Sequence, residues 1–426
     1  MNTTAFQHGN AKRIRIHVLP TKRFKTFAIS LYAGIPLAED TVTPTALTPF
    51  VLRRGTVTYP ETRQFREQLE QMYGAGFGFD VYKRGNYQMV HFRMDTINDS
   101  FVKSQESLLA SSFAFLGEVV TRPVLEGGRF RSSYVQAEKE NVRKKLESIV
   151  NDKIRYASER CIEEMCRNEP YRLHALGQRQ DLEKITPESL HDGYRKWLSE
   201  ASMDLYVVGD TTLEEVEKLV NAHFDLGSEP GITYKTETPV RQSGVPRTVV
   251  EKMEVSQGKL NLGLRTSITY GDDHYAAALM YNGILGGYPH SKLFLNVREK
   301  ASLAYYCSSR YDGHKGIGTI QSGIEVQNYE KALDIIKGQL EEMRSGRITD
   351  LEMSQTKAMI RNLLLEIEDS AFEMIAYDFN RQFSGKDRSR EELLQQVEDI
   401  QVADVQAAAS TFDLDTIYFL KGQKEE

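Results

Sequence analysis

The chain has 426 residues, of which 40% are hydrophobic and 27% are charged, and its formal net charge is −6. This length and balance predict a globular protein of two domains, and the absence of a basic block argues against a nucleic-acid partner. No apolar run is long enough to span a bilayer, and the N-terminal stretch lacks the apolar core of a secretory signal.

The cysteine content indicates the compartment. Cys161, Cys166 and Cys307 are an odd number, and the first two are five residues apart in a predicted helix, which does not place them on one face. We therefore expect buried thiols rather than a disulfide framework, and a cytoplasmic protein.

The first half of the chain is predicted to start with strands and to continue with helices. Strand patterns occupy residues 13–33, and residues 77–94 are predicted to form a hairpin. The helix predicted between them contains Pro49, which a helix tolerates only near its first turn or at a kink. Further along, Thr186 followed by Pro187 is a helix start signal, and this helix leads into an apolar strand.

The second half repeats this order. Residues 226–247 are rich in Gly, Pro, Ser and Thr and predict a linker between domains at 1–225 and 248–426. The helix–strand stretch at 182–210 has a counterpart at 397–423, and the hairpin at 77–94 has one at 304–324. We therefore predict an α+β fold with two homologous domains, each an antiparallel-rich sheet covered by helices on one face.

The stretch from His290 to Ile320 is predicted to be an amphipathic helix followed by a hairpin. Apolar residues recur at helical spacing from residue 293 to 297. Residues 305–309 alternate as in a strand, which would place Tyr305 on the same face as Cys307 and Ser309.

Arg298 and Tyr305 are the candidate functional residues of this stretch. A guanidinium and a phenol both donate hydrogen bonds, so the pair suits a peptide carbonyl or a developing oxyanion. On residue types alone, the alternative is a solvated arginine and a buried aromatic residue.

The sequence contains no recognisable catalytic or metal-binding motif. No two of the nine histidines are three, four or five residues apart, so no helix presents two histidines on adjacent turns. Serine-nucleophile elbows, phosphate-binding loops and dinucleotide-binding glycine patterns are also missing. We therefore predict no metal ligands in this chain.

Nearly the whole chain resembles the pitrilysin/insulinase metallopeptidases, in the branch that includes the subunits of mitochondrial processing peptidase. The most specific match is S-K-L-F-L-N-V-R-E-K-A-S-L-A-Y at residues 291–305. The family carries S-x-L-F-x-x-x-R-E-K-x-x-L-A-Y there, and its Arg and Tyr help to bind substrate and to stabilise the tetrahedral intermediate. The resemblance implies the same roles for Arg298 and Tyr305.

The resemblance also implies that the zinc site of the family has been lost. Active members have H-x-x-E-H shortly before a Gly-Thr, and anchoring on residues 55–56 places this motif on A-L-T-P-F. Ala46 and Phe50 then replace the ligand histidines, Pro49 replaces the general-base glutamate, and Lys145 falls where the third ligand would be. Alanine, phenylalanine and lysine offer zinc no normal ligand, and proline cannot accept a proton from water.

In the same family, extended substrates add as a strand to an exposed sheet edge. The corresponding stretch here includes Gly78, Phe79, Asp80 and Val81. The glycines of this stretch could let a substrate backbone approach, or they could form a flexible turn before the strand.

The combination predicts a metal-free subunit of a heterodimeric peptidase that acts on peptides. A homologous partner would carry the zinc, and this chain would contribute Arg298 and Tyr305. The alternatives are a non-enzymatic peptide-binding or scaffold protein with the same fold, and a homodimeric peptidase with unrecognised ligands. The chain is also similar in general character to bacterial proteins associated with the 5-aminopentanol modification of elongation factor P.

Overall fold

The computed structural model describes residues 5–104, 106–229, 231–235, 239 and 244–422. Residues 230, 236–238 and 240–243 of the predicted linker lie outside the described residues, as do residues 1–4 of the N-terminal stretch.

The secondary structure follows the predicted order of strands and helices. The helices are α1 Val42–Leu52, α2 Thr62–Gln71, α3 Leu108–Thr121, α4 Ser132–Asn151, α5 Lys153–Met165, α6 Arg179–Lys184, α7 Pro187–Glu200, α8 Leu213–His223, α9 Tyr275–Asn282, α10 Tyr329–Arg344, α11 Asp350–Glu366, α12 Ala371–Ser384, α13 Arg390–Asp399 and α14 Val402–Ala409. The strands are β1 Gln7–Ala11, β2 Ile14–Pro20, β3 Thr26–Pro36, β4 Gly76–Arg84, β5 Tyr87–Ile97, β6 Leu125–Glu126, β7 Arg129–Phe130, β8 Ser202–Gly209, β9 Arg247–Met253, β10 Gly258–Arg265, β11 Ala304–Asp312, β12 Ile317–Ile324 and β13 Asp413–Gly422.

The first sheet has six strands in the order β1-β2-β8-β3-β5-β4. Strands β2 and β3 follow each other in the chain but do not pair, because β8 lies between them, parallel to β2 and antiparallel to β3. The other neighbouring strands are antiparallel. The predicted hairpin at 77–94 is β4 and β5, and β4 forms an edge of the sheet.

The second sheet has five strands in the order β11-β12-β10-β13-β9. Strand β13 pairs parallel with β9 and antiparallel with β10, as β8 does with β2 and β3. When the second sheet is read from β9 to β11, its strand order matches that from β2 to β4 in the first sheet. The first sheet has β1 as an additional strand. The predicted α+β fold with antiparallel-rich, helix-covered sheets is confirmed.

The chain forms two compact units, and each includes a segment from the other half of the sequence. Unit 1 comprises Met1–Glu147, Leu173–Lys235 and Ser370–Asp378, and unit 2 comprises Ser148–Arg172, Thr236–Asp369 and Phe379–Glu426. The predicted domains at 1–225 and 248–426 describe the two copies of the repeat in the sequence, and their boundaries stay a prediction.

The core of unit 1 lies between its sheet and its helices. Alternate strand residues such as Ile14, Ile16 and Val18 face this core, where they meet Phe113 of α3 and Trp197 of α7. All five side chains are at most 1% exposed. Their period of two places every second strand residue against the helices, and the residues between them point to the other face of the sheet.

Helix α5 packs against the sheet of unit 2. Ala157 and Cys161, which are four residues apart and on one helix face, form a buried cluster with Tyr418 and Leu420 of β13. All three cysteines are free thiols and buried, as predicted. Burial raises the pKa of the Cys307 thiol to about 12, so this side chain behaves as a small apolar group.

Within the described residues, no helix combines the length and the apolar character that crossing a membrane requires.

Candidate functional site

Helix α1 carries the positions at which the zinc motif of the family was expected. Nearly all of its residues are buried, and Ala46 is fully so. Pro49 lies in the second half of the helix rather than in its first turn, and its carbonyl accepts a hydrogen bond from the backbone N–H of Arg53 at 3.3 Å. Because proline has no N–H, the carbonyl of Thr45 receives no hydrogen bond from Pro49.

Phe50 fills the centre of this region. Its ring meets Phe79 of β4 edge to face, with ring centroids 4.8 Å apart. The Arg53 guanidinium lies over both rings, 5.5 Å from the centroid of Phe50 and 5.3 Å from that of Phe79. The Lys145 ammonium of α4 is 5.9 Å from the centroid of Phe50. The structure therefore brings together Phe50, Lys145 and Phe79, which are far apart in the sequence.

A buried carboxylate holds α4 against α1 beside this cluster. Glu138 is fully buried, accepts a short hydrogen bond from Arg54 Nε, and lies 3.7 Å from Nη2 of Arg53. Its second oxygen accepts from Asn141 Nδ2 at 2.8 Å. A carboxylate that already accepts bonds from arginine and asparagine is a structural ion pair, since removing either partner would leave a buried charge.

The donor set of this region does not fit zinc. The side chains at the four expected positions are a methyl group, a pyrrolidine ring, a phenyl ring and an ammonium, none of which is a normal zinc ligand. Aromatic rings and cations occupy the space between α1, α4 and β4. Among the described residues, the one cluster of potential ligands lies elsewhere in unit 1 and contains His8, His17 and Asp378.

The predicted substrate strand is β4, which lies at an edge of the sheet of unit 1. Phe79 and Val81 pack against the core, while Asp80 points outward and pairs with Arg93 at 2.6 Å. A Cβ placed on Gly78 would have no atom within 4 Å, so there is open space at this point. An exposed edge of this kind offers unpaired backbone groups to an added strand.

Arg298 lies in unit 2, in a π-helical segment from Phe294 to Lys300. The sequence predicted an amphipathic helix here, and the structure gives this helix a π-helical hydrogen-bond pattern. Leu293 and Val297 are fully buried, as their helical spacing predicted. The wider π turn is a feature often found at functional sites. It places the Arg298 guanidinium 4.5 Å from the centroid of the Phe294 ring, with 42% of the arginine side chain exposed.

Tyr305 does not share a face with Cys307 and Ser309, contrary to the predicted alternation. The pairing of β11 with β12 shifts between Ala304 and Tyr306, so Tyr305 is the extra residue of a β-bulge. Cys307 and Ser309 are buried, whereas Tyr305 is 55% exposed. A bulge inserts one residue into the two-residue period and re-aims its side chain, and this accounts for the exposed phenol.

The Tyr305 hydroxyl has a specific partner. It donates a hydrogen bond to Oε1 of Glu325, just beyond the end of β12. This bond and the negative charge of Glu325 raise the pKa of Tyr305 above its ordinary value. The phenol therefore stays protonated and able to donate hydrogen bonds throughout the physiological pH range. Arg298 and Tyr305 lie on consecutive elements of unit 2, the π-helical segment and β11.

Comparison with known proteins places this geometry in a family. The chain is 38% identical over 422 residues to the probable inactive metalloprotease YmfF of Bacillus subtilis, covering 99% of this chain and 98% of that protein. The chain belongs to the M16 peptidase family. The family model described as "Peptidase M16 inactive domain" matches residues 184–360. The resemblance to the pitrilysin/insulinase peptidases predicted from the sequence is thereby confirmed.

Solved structures have the same M16 fold. A conserved protein from Enterococcus faecalis V583 superposes with a TM-score of 0.92 at 32% identity, covering 99% of this chain and 100% of that one. A Pseudomonas fluorescens structure described as a peptidase M16 inactive domain superposes with a TM-score of 0.82 at 19% identity, covering 99% and 98% of the two chains. At that identity, the second match shows the fold alone.

Proposed function

We propose that this protein is the zinc-free subunit of a heterodimeric M16 peptidase and that it supplies Arg298 and Tyr305 to the active site of a homologous, zinc-bearing partner. The observation that carries the proposal is the contrast within one chain. The metal positions of the first repeat hold Ala46, Pro49, Phe50 and Lys145, whereas Tyr305 of the second repeat is exposed by a bulge.

The chemistry of Arg298 and Tyr305 supports a role in stabilising a transition state. When a peptide carbonyl is attacked, negative charge develops on its oxygen, and nearby hydrogen-bond donors lower the energy of that state. A guanidinium carries a permanent charge and several donors, and the phenol of Tyr305 keeps its proton at neutral pH. On substrate binding, the Tyr305 hydroxyl would exchange its bond to Glu325 for one to the substrate oxygen.

The remaining parts of the proposal concern substrate and surroundings. The peptide substrate would add as a strand beside Gly78, Phe79, Asp80 and Val81, since β4 has an open edge. Zinc would be held by the partner, and the pair would act in the cytoplasm. The link to the modification of elongation factor P is a further prediction that rests on sequence character alone.

The direct test measures peptide hydrolysis by the purified chain, by a zinc-bearing M16 homologue from the same cell, and by the two together. We expect turnover only from the mixture, and no turnover from this chain even when Zn²⁺ is added. In the reconstituted pair, Arg298→Ala should lower kcat more than it weakens assembly. The matched control is Arg310→Ala, because Arg310 is an exposed arginine of β11, the strand that carries Tyr305.

Two outcomes would contradict the proposal. One is turnover by this chain without a partner. The other is a structure of the chain with zinc bound between the helices that carry Ala46 and Lys145.

A second candidate function is peptide binding without catalysis, which the open edge of β4 favours. The same experiment separates the two functions. A pure binding protein would retain peptides at the edge strand, yet it would add nothing to the activity of the partner, and Arg298→Ala would have no kinetic effect.

A further inference from the structure

A two-residue turn places two histidines of unit 1 opposite each other. Strands β1 and β2 pair antiparallel, and the register places His8 directly opposite His17. The two Nδ1 atoms are 2.7 Å apart, and the rings meet edge to face. His8 is exposed, whereas His17 is 4% exposed, so the pair is open to solvent on one side only.

The surrounding strands fix the orientation of His17. Its Nε2 lies 2.9 Å from Oδ1 of the buried Asp204 in β8. Asp204 also accepts two hydrogen bonds from Arg15, at 2.8 Å from Nε and 2.6 Å from Nη2, which is the geometry of an ionised carboxylate. His17 therefore donates through Nε2, and in the neutral ring with this tautomer the lone pair of Nδ1 points towards His8. A carboxylate–histidine arrangement of this kind orients the ligand histidines of metal sites.

A third donor comes from the segment Ser370–Asp378 of unit 1. Asp378 is 2% exposed, and its Oδ2 accepts a hydrogen bond from the Tyr206 hydroxyl at 3.1 Å. The ring of Tyr206 stacks on that of His17, with centroids 4.3 Å apart. One donor atom each from His8, His17 and Asp378 lie within 4.8 Å of one another. The hydroxyl of Tyr206 thus positions the carboxylate of Asp378, just as Asp204 positions the imidazole of His17.

We propose that His8, His17 and Asp378 bind a divalent transition-metal ion through two imidazole Nδ1 atoms and one carboxylate oxygen. Two nitrogens and one oxygen suit Zn²⁺, Co²⁺ or Ni²⁺ better than the harder Mg²⁺ or Ca²⁺. In a tetrahedral zinc site, ligand atoms lie about 3.3 Å apart. Metal binding would therefore require the two nitrogens to separate slightly, which the exposed ring of His8 allows.

This site is separate from the positions in α1 at which the zinc motif of the family was expected, and it does not rest on the proposed function. It is also confined to the first repeat. In the matching register of the second sheet, Val249 of β9 pairs with Tyr418 as His17 pairs with Tyr206, and no strand among the described residues of unit 2 corresponds to β1. Valine offers no ligand, so the second repeat cannot form the same site.

The test measures binding of Zn²⁺ to the full chain by calorimetry and binding of Co²⁺ by its visible absorption. We expect one ion per chain and an absorption spectrum typical of Co²⁺ bound by nitrogen and oxygen ligands. His8→Ala and Asp378→Asn should each weaken binding at least tenfold, because each removes one of three protein ligands. His274→Ala is the matched control, since His274 is an exposed histidine of unit 2, and it should leave the affinity unchanged.

The variants are designed to keep the fold. His8 is exposed, and asparagine at position 378 retains an oxygen for the Tyr206 hydroxyl. Urea unfolding without metal should therefore give midpoints close to that of the wild type. Added Zn²⁺ should raise the midpoints of the wild type and of His274→Ala more than those of His8→Ala and Asp378→Asn. Absence of Zn²⁺ and Co²⁺ binding, or an affinity that His8→Ala and Asp378→Asn leave unchanged, would overturn the proposal.

Discussion

The region around Phe50 in unit 1 and the segment around Tyr305 in unit 2 differ in packing and in solvent exposure. In the first, Phe50 is buried against the half-buried Phe79, the exposed cations Arg53 and Lys145 lie near its ring, and the fully buried carboxylate of Glu138 lies beside it. The second exposes a phenol through a bulge and an arginine through a π turn. The ring of Phe50 is part of the core, whereas Arg298 and Tyr305 present hydrogen-bond donors to solvent.

In our proposal, this difference reflects a peptidase fold that has lost its metal site and kept its hydrogen-bond donors. A vacated metal site in a core would leave polar ligands and a cavity, both of which destabilise a protein, and under our proposal the phenyl ring of Phe50 fills that position with apolar packing. An exposed bulge adds little to stability. Its persistence at Tyr305 therefore has a functional explanation in our proposal.

The largest expected effect is on the stability of unit 1. Phe50→Ala removes the ring that contacts Phe79 and Arg53, and should lower the free energy of unfolding by about 3–5 kcal/mol. Urea unfolding followed by fluorescence is suitable because Trp197, the single tryptophan, lies in the core of unit 1. Phe101→Ala, at an exposed phenylalanine, should have little effect. A loss below about 1 kcal/mol at position 50 would show that the region is not a packed part of the core.

The next effect is on catalysis without a change in stability. Tyr305→Phe removes one donor and should lower kcat of the reconstituted pair about a hundredfold, if the donor acts on the transition state. The unfolding midpoint should stay the same, because the side chain is exposed. Tyr73→Phe, at another exposed tyrosine, is the control for kinetics and stability alike. An unchanged kcat for Tyr305→Phe would contradict the role that we propose for this residue.

The smallest effect, per unit of pH, is on the acid stability of unit 1. Burial and the nearby Arg93 and Arg84 lower the pKa of His91 to about 3, so the folded protein keeps this ring neutral while the unfolded chain protonates it near pH 6.5. The unfolded state then binds more protons between these values, and stability falls as the pH drops from about 6.5 towards 3. The slope contributed by one group is at most about 1.4 kcal/mol per pH unit.

His91→Phe should remove this slope while retaining the stacking on Tyr32, whose ring centroid is 4.0 Å from that of His91. Trp197 fluorescence during urea unfolding at several pH values measures the effect in unit 1. His274→Phe, at an exposed histidine of unit 2, should leave the slope in place. An identical pH dependence in His91→Phe and wild type would assign the acid sensitivity to other groups.

Much of the fold follows from local sequence patterns. The start signal at Thr186 and Pro187 is a capping box in the structure, in which the Thr186 side chain accepts from the Ser189 N–H at 3.2 Å. The helix–strand stretches at 182–210 and 397–423 end in β8 and β13, which hold the same place in their sheets. Caps, turns and apolar periods involve residues close in sequence, so one sequence is enough to detect them.

The candidate site was predictable in its residues but not in its geometry. The motif at 291–305 identifies Arg298 and Tyr305, yet neither the π turn nor the bulge has a local signature there. The histidine search missed His8 and His17 because it tested helical spacing, whereas these residues are nine apart and meet across a hairpin. Recognising β1 in Q-H-G-N-A, with a turn at residues 12–13, would have placed them opposite each other.

The sequence by itself determined the repeated α+β order. It also predicted that the metal positions of the first repeat are replaced and that the arginine and tyrosine of the second are retained, and these stay predictions. Only the tertiary structure decided that Phe50 and Lys145 meet, that Tyr305 faces solvent, and that Ser370–Asp378 brings Asp378 to two histidines of unit 1. Residue type and short-range period are properties of neighbours in the chain. Strand register and contacts between distant segments depend on which surfaces pack together, and no short stretch of sequence contains that information.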